Sequence, residues 1–497
     1  MAGFRNVYRV GEDAQRKRCR RSVMGSQRVF LFGVVAVAAL GGFLFGYDTA
    51  VISGAMLFLR GSFALTTPLQ QGVTVSIELL GAALGAVVGG RLSDLLGRRR
   101  TLICLASLFV VGEMSTAFAD SWSLFIALRF LVGLCVGGIA SVVPVYISEV
   151  APSHLRGVLV TCNQLAITIG IALAYWVDLA FTDLHMGWAP MYAVIGFPGL
   201  MLLFGMMYNT ETPRWYANHQ RWLEARKALE RLHETPEQAA QELEMIRRAL
   251  NSQQRSSWRE LFRPGLRTAL LVSVGLAIFQ QFVGINTVIY YAPIIFEHAG
   301  FVSASSALFA AGIVGIVNVL TTIVAAVLVD RVGRRPLLLW GTACMVVSLF
   351  ILGLISQQGD TSVGYLTLLL LLCYIIAFAL SMGPIFWLLI AEIFPTRLRA
   401  IGASIGTSAN WVANLLVCMS FLSLINTLGK TYTFWLYAVM GIGAFLFCYW
   451  LVPETKGRSL EQIEQYWQQK GLSQQTGKGK RMEIGAHANL MSRRKQS

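Results

Sequence analysis

Asp48 sits in the middle of a long apolar run, within Phe45-Gly-Tyr-Asp48-Thr-Ala-Val-Ile-Ser-Gly54. If that run crosses a bilayer, an ionised carboxylate there costs several kcal/mol unless it is paired or protonated. Its available chemistry is therefore ion pairing and proton exchange. Desolvation favours the protonated acid and a nearby cation favours the carboxylate. Arg129, early in a later apolar run, can be that cation. Glu78 and Glu113 are further acids inside apolar runs. They could modulate proton access, bond a neighbouring Ser or Thr, or reach the interface, and the sequence assigns them no role. Neutral amides offer a second chemistry, since Asn and Gln supply both donors and acceptors. Gln280, Gln281 and Asn286 share one apolar run, and a continuous helix would bring two of them into one sector. The plain alternative for any one of them is a hydrogen bond between helices. No nucleophile–base motif, nucleotide loop or metal-ligand spacing lies among the apolar runs. No enzyme, catalytic residue, cofactor or metal is therefore expected.

The elements that must position these residues follow from composition. Of 497 residues, 55% are hydrophobic and only 13% charged, about half the charged share of a soluble domain. Mean hydropathy is +0.59. At about 20 apolar residues per helical span, the chain has material for about a dozen crossings. Spans are expected at about 29–59, 71–92, 101–119, 122–143, 158–180, 188–208, 268–296, 305–329, 336–356, 364–391, 400–425 and 432–452. The net charge of +15 lies in the gaps between spans, as topology signals do, so no nucleic-acid partner is expected. The cysteines are scattered, mostly within apolar runs, and read as small buried hydrophobes. The first apolar run is too long for a cleavable leader and is expected to remain as the first span.

Basic gaps alternate with gaps poor in Lys and Arg, which puts both termini and the basic gaps in the cytoplasm. The expected layout is a basic cytoplasmic tail (1–28), a six-helix bundle (29–208), a cytoplasmic helical linker (209–267), a second six-helix bundle (268–452) and a cytoplasmic tail (453–497). The linker carries apolar residues at helical spacing among charges, interrupted near Pro236. The halves repeat one another. Asp94-Leu-Leu-Gly-Arg98-Arg99 is echoed by Asp330-Arg-Val-Gly-Arg334-Arg335, Glu149…Arg156 by Glu392…Arg399, and Glu211-Thr-Pro-Arg214 by Glu454-Thr-Lys-Gly-Arg458. Duplicated bundles imply a rocking-bundle carrier with its site between the halves. The fold class expected is an all-α polytopic membrane protein, twelve transmembrane helices in two pseudo-symmetric six-helix bundles. Small-residue stripes, Gly81, Gly85, Gly89 and Gly133, Gly137, should let helices pack closely.

The paired Asp-x-x-Gly-Arg-Arg loops resemble the major facilitator superfamily. Phe45-Gly-Tyr-Asp48, Arg129-Phe-Leu-Val-Gly133, Pro144-Val-Tyr-Ile-Ser-Glu149, Gln280-Gln281-x-x-Gly284-x-Asn286, Gly383-Pro-Ile-Phe-Trp387, Asn410-Trp411 and Pro453-Glu-Thr-Lys-Gly-Arg458 look like its sugar porter family. The likeness runs from about residue 29 to 465, and the sequence is most similar to bacterial hexose and pentose proton symporters. Two details depart from the family pattern: Thr210 and Thr212 stand where Pro and Ser are usual, and Ala400 where Gly is.

The resemblance implies secondary active transport of a monosaccharide with a proton, by alternating access. A sugar's hydroxyls match amide donors and acceptors, and an indole can cover its C–H face. The family puts Gln164, Gln280, Gln281, Asn286, Trp387 and Asn410 around the sugar, with Phe45, Tyr291, Asn318 and Trp411 as weaker carry-overs. It pairs Asp48 with Arg129 in proton coupling, where the alternative is a static ion pair. Asp94, Arg98, Arg99, Glu149, Arg156, Asp330, Arg334, Arg335, Glu392 and Arg399 would form a cytoplasmic gate, or else act only as topology signals. The rival functions are a facilitative sugar uniporter of the same fold and a sugar sensor. The expected partners are a monosaccharide, a proton and the lipid bilayer, with the chain a monomer. No Asn-x-Ser/Thr site is present and the first outside loop is short. Both lean towards a bacterial inner membrane.

Overall fold

Among the residues described by a computed structural model of the chain, twelve helical stretches are long and apolar enough to cross a membrane. The structure describes residues 2–152, 156–232, 235–251, 258–263, 266–357, 364–394 and 398–456, and among these all regular structure is helical. The side chains of 2–29, and those of Arg156 and Arg399, lie outside the described residues, as does the tail beyond 456. The helices are α1 (Ala2–Ser62), α2 (Pro68–Leu96), α3 (Arg98–Ala117), α4 (Trp122–Val150), α5 (Arg156–Asp183), α6 (Ala189–Ala193), α7 (Gly196–Tyr208), α8 (Pro213–Asn218) and α9 (Trp222–Leu232). They continue with α10 (Pro236–Asn251), α11 (Leu266–Phe282), α12 (Ile285–His298), α13 (Ala304–Val332), α14 (Arg334–Ile355), α15 (Gly364–Leu380), α16 (Met382–Glu392), α17 (Arg399–Leu428) and α18 (Lys430–Leu451). In the linker, α9 ends at Leu232 and α10 opens with Pro236 at its first position, where a missing N–H does no harm.

Three spans expected as single helices are broken: the sixth divides into α6 and α7 between Ala193 and Gly196. The seventh divides into α11 and α12 at Gly284, whose φ of +90° glycine adopts without strain. The tenth divides into α15 and α16 at Ser381. There Pro384 has no N–H for the Leu380 carbonyl, and continuing the turn would press its ring on that carbonyl. Discontinuous membrane helices leave backbone groups free to bond side chains and ligands. The breaks in the seventh and tenth spans fall beside the amide-bearing segments.

The chain forms two compact units: residues 1–252 with 289–319, and residues 253–288 with 320–497. In the first unit α2 and α4 approach with almost no side chain between them. A Cβ on Gly85 would meet the Leu134 backbone, one on Gly137 the Ala82 backbone, and one on Gly89 Gly138. The expected small-residue packing is therefore present. Without a solvent-driven hydrophobic effect between membrane helices, such close van der Waals contact is a principal source of association. Gly137→Val should drive α2 away from α4, which carries Glu78 and Arg129 respectively. We expect the purified variant to lose about 1–3 kcal/mol of stability, read as an earlier thermal transition in detergent.

Candidate functional site

The first unit holds a buried charged centre. Asp48 on α1, Glu78 on α2, Glu113 on α3 and Arg129 on α4 are each at most 2% exposed. Arg129 Nη1 donates to Asp48 Oδ1 at 2.7 Å and to Glu113 Oε1 at 3.1 Å, and Nη2 donates to Glu78 Oε2. The Arg129 guanidinium also lies 5.0 Å from the centre of the Tyr192 ring. Tyr192 in turn packs edge-on to Phe125 and Trp188 at 5.8 and 6.2 Å, with Phe63 against both of those rings. This aromatic wall keeps the centre dry, which strengthens every charge interaction in it. The expected Asp48–Arg129 pair is formed. Glu78 and Glu113, left without a role by the sequence, converge on the same guanidinium. The signal that pointed to them was their position as acids inside apolar spans, and their shared partner was invisible without the packing of α2, α3 and α4.

The second unit holds a continuous chain of amides. Gln280 on α11 donates from Nε2 to the Met382 carbonyl at 2.9 Å, beside the break before α16. Asn410 on α17 donates to Gln280 Oε1 at 2.6 Å and to the Ala277 carbonyl at 3.1 Å. Gln281 donates to Asn410 Oδ1 at 3.1 Å, and Asn286 donates across the Gly284 break to Gln281 Oε1 at 2.8 Å. The reading of one helical sector from a continuous span is thus corrected. Asn286 meets Gln281 because the helix is interrupted between them. Gln280, Gln281 and Asn410 are at most 5% exposed, whereas Asn286 is half-buried. An amide chain of this kind is fixed at its inner end and can turn its outer end towards a polyhydroxylated ligand. Trp387 sits on α16 five residues beyond Met382, 39% exposed, with its ring edge-on to Phe386. Trp411 is buried beside Asn410. Gln164, Phe45, Tyr291 and Asn318 belong to the first unit, with Gln164 and Phe45 half-buried and Tyr291 and Asn318 buried.

The repeated loop motifs build the same cluster in each unit. In the first, Arg98 lies 2.9 Å from Asp94 and 3.1 Å from Glu149, and Thr212 donates to Glu149 at 2.6 Å. In the second, Arg334 lies 3.3 Å from Asp330 and 3.1 Å from Glu392, and Thr455 donates to Glu392 at 2.7 Å. Glu211 accepts from the backbone N–H groups of Arg98 and Arg99, and Glu454 from those of Arg334 and Arg335. Each carboxylate thereby caps a helix N-terminus, where unpaired N–H groups and the helix dipole favour negative charge. Arg99 and Arg335 bond the backbone carbonyls of Met206 and Tyr449. The described bonds of these motifs close within their own unit.

The two capping acids respond to pH in opposite directions. Burial holds Glu211 above the ordinary carboxylate range, despite its backbone donors. At Glu454 partial burial is outweighed by N–H groups of Lys456, Arg335, Arg334 and Thr455, which hold it below that range. Ionised Glu454 therefore adds stability that is lost as pH falls through its folded value, while Glu211 becomes easier to accommodate as it takes up a proton. Glu454→Gln should lower the thermal transition at neutral pH more than Glu211→Gln, and the difference should shrink in acid.

Residues 34–467 match the family model described as sugar (and other) transporter. The galactose-proton symporter of Escherichia coli (strain K12) is 41% identical over 468 residues, covering 93% of this chain and 98% of that protein. The arabinose-proton symporter of the same strain is 37% identical over 452 residues, covering 89% and 94%. Among solved structures, the partially occluded, inward-open xylose transporter XylE from E. coli aligns with a TM-score of 0.77 at 33% identity, covering 87% of this chain and all of that one. A nearly all-helical chain with twelve membrane-spanning helices, repeated charged loops and this extent of likeness belongs to the sugar (and other) transporter family, on the major facilitator fold.

Proposed function

We propose that this protein is a secondary active transporter that carries a monosaccharide together with a proton. The observation that carries the reading is the buried Asp48–Arg129 pair at 2.7 Å. A titratable acid held by a cation in a dry site is a device that can change partners when it takes up a proton. The amide chain through Gln280, Gln281, Asn286 and Asn410 supports a neutral, hydroxyl-rich cargo, and the galactose, arabinose and xylose transporters among the relatives support a monosaccharide. In this reading Trp387 covers the sugar's C–H face and Gln164 adds a further amide. Phe45, Tyr291, Asn318 and Trp411 are secondary contributors.

The loop clusters around Arg98 and Arg334 are proposed to brace the cytoplasmic ends of their own units and to yield when the carrier opens inward, with Arg156 and Arg399 contributing. Both termini and the linker 209–267 face the cytoplasm, with a six-span bundle on either side of the linker. The location is a bacterial inner membrane and the working form a monomer. A facilitative uniporter is the competing reading. It is separated by measuring uptake of a panel of labelled monosaccharides into cells lacking their own carriers, with external pH recorded. Symport predicts that a transported sugar draws in protons and alkalinises the medium. Uptake without any pH change, unaffected by an uncoupler, would mean a uniporter. Which monosaccharide is preferred depends on single hydroxyl contacts worth about 1–3 kcal/mol each.

A further inference from the structure

The charged centre contains more acid than its arginine can neutralise. Among the described residues, the Arg129 guanidinium is bonded by the carboxyls of Asp48, Glu78 and Glu113. With all three ionised the centre would carry a net charge of −2 away from water, a state the bilayer interior penalises by several kcal/mol. Among the described residues, the other groups facing it supply no cation. Tyr192 stands over Arg129 on α6, Cys135 lies on α4, and Tyr47 neighbours Asp48 on α1, with Asp178 on α5 within electrostatic range of Tyr47. The remaining way to balance the centre is with protons.

The geometry says where they go. Asp48 and Glu113 share Nη1 of Arg129, at 2.7 and 3.1 Å, and Glu78 takes Nη2, so the three carboxyls crowd one guanidinium. Two carboxylates repel at that range, whereas a carboxylic acid and a carboxylate share a proton, as paired acids in one site do. Asp48 Oδ2, Glu113 Oε2 and the Tyr192 hydroxyl are fully buried and have no hydrogen-bond partner among the described residues. A proton on Glu78 or Glu113 gives Asp48 a donor.

We propose that Glu78 and Glu113 are proton-holding members of the coupling centre: with Asp48 they keep two protons beside Arg129, and the transported proton enters this shared network rather than Asp48 alone. The second clause rests on the symport reading; the first does not. Linked acids titrate as a set with macroscopic steps that belong to no single residue.

The test combines two readouts on the full chain reconstituted in lipid. Infrared spectra at neutral pH report protonated carboxyls through their carbonyl stretch, and subtracting a variant from the parent cancels unrelated acids such as Asp178. Glu78→Gln and Glu113→Gln should each remove a protonated-carboxyl component. In sugar uptake, the alkaline limb of the pH profile should move about one unit towards acid in either variant, because an interacting acid has been removed. Differences confined to ionised-carboxylate bands would overturn the proton store. An unmoved pH profile in both variants would overturn the shared network, and so would uptake stimulated by sodium at fixed pH. If one variant fails to fold, the other carries both readouts. Should uptake by the parent chain prove independent of pH, the symport reading falls, and the infrared result alone still decides whether the protons are stored.

Discussion

Asp48→Asn should abolish uphill accumulation of sugar while leaving downhill exchange measurable. One proton moving through 100 mV supplies about 2.3 kcal/mol, enough for roughly fiftyfold accumulation of a neutral solute. Without Asp48 the remaining acids, Glu78 and Glu113, lose the member through which the shared proton reaches the transport step, so the internal concentration should rise only to the external one and the ratio falls from tens to about one. The substitution should be tolerated better than removal of a lone ion-pair partner, which typically costs about 3–5 kcal/mol. Arg129 keeps Glu113 at 3.1 Å and Glu78 on its other nitrogen. Its charge therefore remains compensated, and the variant is expected to fold. Counterflow of labelled sugar in energy-depleted vesicles measures the exchange, and accumulation in energised cells measures the coupling.

Gln281→Ala is expected to act on cargo instead of coupling. Gln281 is the central link of the amide chain, donating to Asn410 at 3.1 Å and accepting from Asn286 at 2.8 Å. Its removal leaves those two groups without their partner, and an unsatisfied buried polar group costs about 1–3 kcal/mol. It also takes away any bond Gln281 itself makes to the sugar. The half-saturation concentration should rise roughly 10- to 100-fold, and the pH dependence of the remaining uptake should be unchanged. A shift in pH profile with unaltered affinity would assign Gln281 to the coupling side.

The fold was legible because bilayer physics leaves few choices. Every backbone group of a spanning segment must be satisfied internally, so a run such as 122–143 had to be a helix, and it forms the larger part of α4 (Trp122–Val150). The repeated Asp-x-x-Gly-Arg-Arg motif was readable for the same reason, and both copies build equivalent clusters. What could not be read was the break in the seventh span, because the run from Leu266 to His298, its polar stretch around Gly284 included, is still apolar enough overall to read as one crossing. The positive φ at that glycine is what lets Asn286 reach back to Gln281. The partners of Glu78 and Glu113 were equally hidden. A single acid in an apolar run announces that it matters, but its counter-charge is chosen by how three other helices pack. Glu211 and Glu454 stood out in the sequence as matching signatures. Their work as helix caps appears only when the loop that carries each one folds back onto α3 or α14.

The central claim is that a buried acid beside Arg129 couples proton entry to movement of a neutral sugar. The most direct measurement is proton flux and labelled sugar uptake recorded together in vesicles containing the purified chain, with parent and Asp48→Asn side by side. The account predicts that adding sugar to the parent drives proton entry in step with uptake, and that Asp48→Asn equilibrates sugar with no proton movement. Proton-coupled accumulation that persists undiminished in Asp48→Asn would contradict it.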